Sequence, residues 1–363
     1  MIDAKTLKNA GPKNRLNGII DCDVHPHPKS VDEIKAYMQP PWRDRLQTAN
    51  TRGIYMNPIH PNRLDSFTPN GGFPCSDPDF MRQQLLDEYG INYAILLPRA
   101  FATMYPNPEF ATAVAAAYND WLADVWLDHN NADGRCKGSI TVAPQDPMAA
   151  AKEIDRWADH PHMVQVMIDG GSRAPYGHRQ FYPIFEACER NGLPLALHPG
   201  TEGVGINDSQ ISGYPATYIE WHTGLMLSFQ AHLISFLTEG VFERFPKLKL
   251  VLVEGGSAWL PPLLWRLDSE WKGLREEVPR VKKKPSEYIR DHVRITSQPI
   301  ESPEKPEHLL QIFEMMDAKN ILMFSSDYPH WDFDSPSRAF PKMPEDLKQR
   351  IFFENAKELY NLD

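Results

Sequence analysis

Residues 248–256 read Leu-Lys-Leu-Val-Leu-Val-Glu-Gly-Gly, a run whose apolar side chains are almost continuous and which ends in a carboxylate followed by two glycines. Near-continuous apolarity, rather than strict alternation, is what a strand covered on both faces of a parallel sheet requires. Seven more runs of this kind lie along the chain: 18–25, 92–99, 137–144, 163–171, 193–200, 292–298 and 320–329. Between and after them, the stretches 79–89, 109–128, 148–158, 180–191, 221–239, 259–271, 306–316 and 344–360 space their apolar residues at helical intervals. Gly90 and Gly192 stand just past helix ends, with Asp79 and Ser302 near starts. Eight strand-helix alternations predict one (β/α)8 TIM barrel spanning residues 1–363, with a doubly wound open sheet as the competing arrangement.

Two segments exceed the bare barrel. Residues 26–78 are rich in Pro, Asn and Arg, and residues 200–218 in Gly, Ser and Tyr. Each follows a strand, so both are expected as loop insertions over the C-terminal face, where barrel enzymes place their sites.

The composition excludes several classes of protein. Of 363 residues 42% are hydrophobic and 24% charged, enough to bury a large core. The net charge is -10 and the longest basic run is Lys282-Lys283-Lys284, so a nucleic-acid partner is not expected. The first fifteen residues are polar and no stretch reaches the ~20 apolar residues of a membrane span, which predicts a cytoplasmic protein without membrane attachment. Four scattered cysteines, Cys22, Cys75, Cys136 and Cys188, offer neither a disulfide framework nor a thiolate zinc site, whereas thirteen histidines leave a His/carboxylate site open. No glycine-rich nucleotide loop is present.

Chemistry gathers at strand ends. The first strand closes on Asp21-Cys22-Asp23-Val24-His25, and simple alternation puts Asp21, Asp23 and His25 on one face. The fifth ends in His198-Pro199-Gly200, the sixth in Glu254-Gly255-Gly256 and the eighth in Ser325-Ser326-Asp327-Tyr328-Pro329. Any one of these is ordinary as a capping carboxylate or a hydrogen-bonded core histidine. Together they put Asp23, His25, His198, Glu254 and Asp327 at the same end of four strands. Oxygen and imidazole donors without thiolate suit one or two divalent ions of zinc, manganese or iron, and the surplus of carboxylate points to a second ion or a free general base.

His222, at the start of the helix after the second insertion, is a further candidate for metal or substrate contact, while His232, deeper in that helix, is expected to pack or hydrogen-bond internally. Arg99 after the second strand is placed to clamp a substrate carboxylate or to stiffen its loop, and His330 and Trp331 are expected on the rim as substrate contacts. The tryptophans of the helix at 259–271 read as core or subunit interface.

The spaced pattern Ile20-Asp21-x-Asp23-x-His25, His198-Pro199, Val241-Phe-Glu-Arg-Phe-Pro-Lys-Leu-Lys249, Glu254-Gly-Gly-Ser-Ala-Trp-Leu-Pro-Pro-Leu-Leu-Trp-Arg-Leu-Asp268 and Ser326-Asp327-Tyr328-Pro329 resembles the amidohydrolase-related family. The branch is the one containing aminocarboxymuconate semialdehyde decarboxylase and the resorcylate decarboxylases. The resemblance implies a metal held by Asp23, His25, His198 and Asp327. It departs at two points. Glu254 stands where the decarboxylases carry a catalytic histidine, and Asp23 stands where other members have histidine. The site is therefore carboxylate-rich, similar to dinuclear members such as 2-aminoisobutyrate hydroxylase, in which Glu254 would reach or bridge a second ion.

On this basis the leading expectation is metal-dependent hydrolysis of a small organic substrate through a metal-activated hydroxide, with Asp327 as ligand and proton acceptor and His222 as acid. The alternatives are a dinuclear iron or iron/manganese oxygenase acting on a small amino or carboxylic acid, a non-oxidative decarboxylase, and a non-catalytic subunit supporting a homologous enzyme. A homo-oligomer, or a hetero-oligomer with a homologous subunit, is expected.

Overall fold

The computed structural model describes residues 17–47, 61–209 and 212–363. Eight strands form one parallel sheet in sequence order: β1 (Ile20–Val24), β2 (Tyr93–Leu96), β3 (Cys136–Thr141), β4 (Met163–Asp169), β5 (Leu195–His198), β6 (Leu250–Leu252), β7 (Val293–Thr296) and β8 (Leu322–Met323). The ring closes between β8 and β1, where Cys22 N–H donates to Phe324 O at 3.0 Å and His25 N–H to Tyr328 O at 2.8 Å. The open-sheet alternative is thereby excluded, and all eight predicted strands are present.

Both strand faces are buried, as the continuous apolar runs require. Ile20, Cys22, Ile95, Leu97, Met167, Ala196, Val251, Val253 and Met323 fill the barrel interior, joined by Ala356, Tyr360 and Leu362 from the C-terminal end of the chain. Val24, Leu96, Val166, Leu197, Leu252 and Ile295 pack outward against the helices.

Strict alternation fails on β1. Its register against β2 slips between Asp21 and Val24, a bulge that inserts one extra residue and reverses the facing of the residues beyond it. Asp21 pairs in register with Ala94, which packs toward the helices, and its carboxylate accepts Ser326 N–H at 2.9 Å and Ser326 Oγ–H at 2.5 Å. The expectation that Asp21 shares a face with Asp23 and His25 is corrected: the bulge aims only the latter two at the mouth.

The helices match prediction with changes in detail. Gly90 and Gly192 end their helices with φ of +66° each, the left-handed stop that glycine tolerates. The first cap is Asp77 rather than Asp79, its carboxylate accepting Asp79 and Phe80 N–H with Pro78 at the first helical position. The helix Pro306–Met315 begins after Lys305 without a side-chain cap, not at Ser302. The predicted helix at 221–239 breaks at Gly224 into Tyr218–Thr223 and Leu225–Thr238. Thr217 and Glu220 form a reciprocal capping box at its start, which fixes the end of the second insertion and the direction of His222.

Residues 48–60 of the first insertion and 210–211 of the second lie outside the described residues. Where described, the first insertion crosses the mouth: Arg63 N–H donates to Pro329 O at 2.9 Å and Trp331 N–H to Pro61 O at 3.1 Å. Among the described residues, no helix is long and apolar enough to cross a membrane.

Candidate metal centre

The C-terminal ends of β1, β5, β6 and β8 bring five predicted donors into one buried cluster. His25 Nε2 lies 3.2 Å from Asp23 Oδ1, 3.0 Å from Asp327 Oδ1 and 3.8 Å from Glu254 Oε2. His198 Nε2 lies 2.8 Å from Glu254 Oε2, 3.5 Å from Asp23 Oδ1 and 3.2 Å from His25 Nε2. Two overlapping quartets have donor atoms within 4.8 Å of one another: Asp23, His25, His198 and Glu254, and His25, Glu254, Asp327 and His330.

The donor chemistry fits a divalent ion. Both carboxylate oxygens of Asp23 and Oε2 of Glu254 are buried without a hydrogen bond, because the donors converge on common points instead of aiming at one another. Buried carboxylate left in that state costs several kcal/mol, whereas a cation at the point of convergence removes the cost. His25 Nδ1 lies 3.0 Å from Leu97 O, so that nitrogen carries the proton and Nε2 offers its lone pair to the cluster. His198 Nδ1 lies 2.7 Å from Pro199 O and also faces the Arg99 guanidinium, which fixes the ring from behind with Nε2 toward the cluster.

The electrostatics agree. Burial and Arg99 oppose a charge on His198, but Glu254 and Asp23 outweigh them and raise its pKa to about 9. Glu254 is held well below the usual range, its burial overcome by His198. Asp327 is pushed well above it by burial and by the neighbouring Glu254, Asp332 and Asp23 carboxylates. A proton on His198 and an ion would compete for the same Nε2, so an ion held there would displace that proton.

Two donors stand on strained backbone. Glu254 and Asp327 have φ of +62° and +59°, the left-handed region that side chains with a Cβ seldom adopt. Around Glu254, Trp259 Nε1–H donates to both Gly255 O and Gly256 O at 3.0 Å and braces the turn. Trp259 is thus a support of the site, while Trp265 lies 60% exposed on the outer face.

Above the cluster lies a cavity of about 250 Å³ whose walls include Phe101, Tyr218, Trp221, His222, Asp332 and His27. His330 sits deeper than the rim position expected of it, with Nδ1 2.6 Å from Asp327 Oδ1. Trp331 is at the rim, half exposed, its Nε1–H donating to Tyr218 OH at 3.3 Å. His222 joins neither quartet; its Nε2 faces Asp332 Oδ2 at 3.2 Å. A ligand role for His222 is corrected on that ground, since the Asp332 carboxylate takes the nitrogen that would have served. Arg99 lines the cavity, but its guanidinium is engaged by Pro199 O, by the His198 ring and by Asp169, 3.4 Å away. It therefore holds the back of a metal-site histidine.

Three contributors escaped the sequence reading. His27 extends the alternation Asp23-x-His25-x-His27, a visible signal. Asp332 stands two residues after His330, and Gln298 ends the seventh apolar run; neither carries a signal until the loops are folded.

The known proteins that this chain resembles bear on the reaction. A γ-resorcylate decarboxylase from Polaromonas sp. is 26% identical over 298 residues, covering 78% of this chain and 87% of that protein. The structure of 5-carboxyvanillate decarboxylase from Sphingomonas paucimobilis superposes with a TM-score of 0.67 at 25% identity, over 95% of this chain and 99% of that one. The dihydroxybenzoic acid decarboxylase of Polaromonas sp. JS666, solved with manganese and 2-nitroresorcinol, gives 0.63 at 21% identity, over 95% and 97%. The expectation of hydrolysis is overturned by these relatives, which are decarboxylases, and they lend no support to oxygen activation. The amidohydrolase family model matches residues 20–362. With that match and the mouth-facing donor set, the chain belongs to the amidohydrolase family, in the branch that holds the resorcylate decarboxylases.

Proposed function

We propose that this protein is a divalent-metal-dependent, non-oxidative decarboxylase of a small hydroxylated aromatic carboxylic acid. The observation that carries the reading is the convergence of orphaned carboxylate oxygens and imidazole lone pairs beneath an aromatic-walled cavity, in a chain related over 78% of its length to a decarboxylase. Asp23, His25, His198 and Asp327 would hold the ion with Glu254, and manganese is the ion of choice because a related decarboxylase carries it. When bound, the ion supplies Lewis-acid polarisation and a fixed anchor for substrate oxygen.

The chain's own groups move the proton. Glu254 stands where the decarboxylases carry their acid histidine, and the proton is carried instead by His330, which lines the cavity with Nδ1 2.6 Å from Asp327 Oδ1. The proton goes to the ring carbon bearing the carboxylate. The bond from that carbon to the carboxylate then breaks, its electron pair returns to the ring, and carbon dioxide leaves. Tyr218, Trp221 and Phe101 exclude water from the ring.

The test is incubation of manganese-loaded protein with 2,6-dihydroxybenzoate and 5-carboxyvanillate, monitoring carbon dioxide release and the decarboxylated phenol. Release abolished by chelation and restored by manganese supports the reading. No release from either acid or from related hydroxybenzoates overturns it.

A further inference from the structure

The cavity has a second polar station that the metal cluster does not use. His222 and Asp332 belong to neither donor quartet, yet both line the same cavity as Glu254 and Asp327. Their side chains are largely buried, at 18% and 14% exposure, with His222 Nε2 3.2 Å from Asp332 Oδ2.

Each member is braced from behind. Gln298, fully buried in the turn after β7, donates through Nε2 to Asp332 Oδ2 at 2.8 Å. The His222 ring stacks on Tyr218, with centroids 5.4 Å apart and planes 24° from parallel, and Trp331 lies against it at 5.9 Å. Asp332 comes from the loop after β8, His222 from the capped helix after the second insertion and Gln298 from the turn after β7. Three separate elements thus converge to hold one ion pair at the wall of the cavity. A pair serving only to tie loops together has no need of a place on that wall.

We propose that His222 and Asp332, braced by Gln298, form a specificity subsite that hydrogen-bonds a ring hydroxyl of the substrate. The proposal rests on the decarboxylase reading for the class of ligand. The metal cluster takes one polar end of that ligand, Phe101, Tyr218 and Trp221 face its aromatic body, and the His222–Asp332 pair takes a second polar group. Asp332 accepts a hydrogen bond from the hydroxyl on a carboxylate held in place by Gln298. A hydrogen bond to a charged group in a desolvated cavity discriminates strongly, because an analogue lacking the hydroxyl leaves the carboxylate without its ligand partner. His222 and Asp332 are positioning residues, and the bond-breaking step does not pass through them.

The test is a binding cycle on the manganese-loaded protein by isothermal titration calorimetry. The ligands are benzoate, the three monohydroxybenzoates and 2,6-dihydroxybenzoate; the proteins are wild type, Asp332→Asn and His222→Gln, each checked for unchanged metal content. The expected result is one hydroxyl whose removal weakens wild-type binding tenfold or more and weakens either variant less than threefold. In turnover, the same variants raise KM for that acid and leave kcat within a few-fold. Equal losses in wild type and both variants for every hydroxyl overturn the proposal, and if those acids are still decarboxylated the reaction reading stands. Selective loss without decarboxylation of any ligand supports the subsite and overturns the reaction reading. Failure of every benzoate to bind at millimolar concentration overturns the subsite, and the reaction reading falls with it only if 5-carboxyvanillate is not decarboxylated either.

Discussion

Glu254 and Asp327 close β6 and β8 on the same strained backbone, with φ of +62° and +59°, and their carboxylates enter a shared donor quartet. Strain of this sort costs roughly 1–3 kcal/mol per residue and persists only where the surroundings enforce it. Here it turns two side chains out of the strand direction and into the mouth. Glu254→Gly relieves the strain but removes the carboxylate 2.8 Å from His198 Nε2 that helps raise the His198 pKa to about 9, so in the metal-free protein that pKa is expected to fall toward the ordinary imidazole value. The same change should weaken manganese binding at least tenfold. NMR titration of the histidines in chelator and titration calorimetry with manganese check the two halves, and a variant that keeps both the His198 pKa and its metal affinity contradicts the assignment.

Metal removal should destabilise the wild-type protein. Asp23 has neither oxygen hydrogen-bonded, and neither does Oε2 of Glu254, so an ion that binds the folded cluster stabilises it by mass action. At one hundred times the dissociation constant the gain is about 2.7 kcal/mol. The midpoint of thermal unfolding should rise with the logarithm of manganese concentration, and a midpoint indifferent to manganese and to chelation counts against the site.

The glycines after Glu254 have different tasks. A Cβ on Gly255 would lie 1.9 Å from Cδ2 of the fully buried Phe229, whereas Gly256 has a φ of +63°. Gly255→Ala must displace a packed phenyl ring and should cost about 1–3 kcal/mol, as overpacking does. Urea denaturation measures it. Phe229→Leu in the same chain makes room for the methyl group and should return part of the loss.

His232 makes stability depend on pH. Its Nδ1 accepts Tyr176 N–H at 3.2 Å, which requires Nε2 to carry the proton it gives to Gly170 O at 2.8 Å. A second proton on Nδ1 would face an N–H donor. Burial lowers the folded pKa to about 4 from an ordinary 6.5, so between those values the unfolded chain binds a proton that the fold refuses. The contribution, up to about 3 kcal/mol, is complete above pH 6.5 and is lost as pH falls toward 4. Denaturant unfolding from pH 7.5 to 4.5 should show His232→Gln with a shallower fall than wild type; parallel curves would remove His232 from the account.

The barrel was legible because burial on both faces of a parallel strand leaves an unmistakable apolar run, and the ligands because each interrupts such a run at its end. His232 was legible for the same kind of reason, since a histidine inside an apolar helix must satisfy both nitrogens internally. Asp21 was misread because a single inserted residue in β1 reverses strand facing, and a bulge has no composition of its own. The break at Gly224 was hidden by apolar spacing that continues across it.

The sequence by itself determined a (β/α)8 chain with Asp23, His25, His198, Glu254 and Asp327 at one mouth, because local burial and strand polarity suffice for that. Only the tertiary structure decided that His330 joins the donors, that Arg99 backs His198, and that His222 turns to Asp332. Those partners lie far apart along the chain, or on loops whose direction depends on what they pack against, and no local pattern encodes such a meeting.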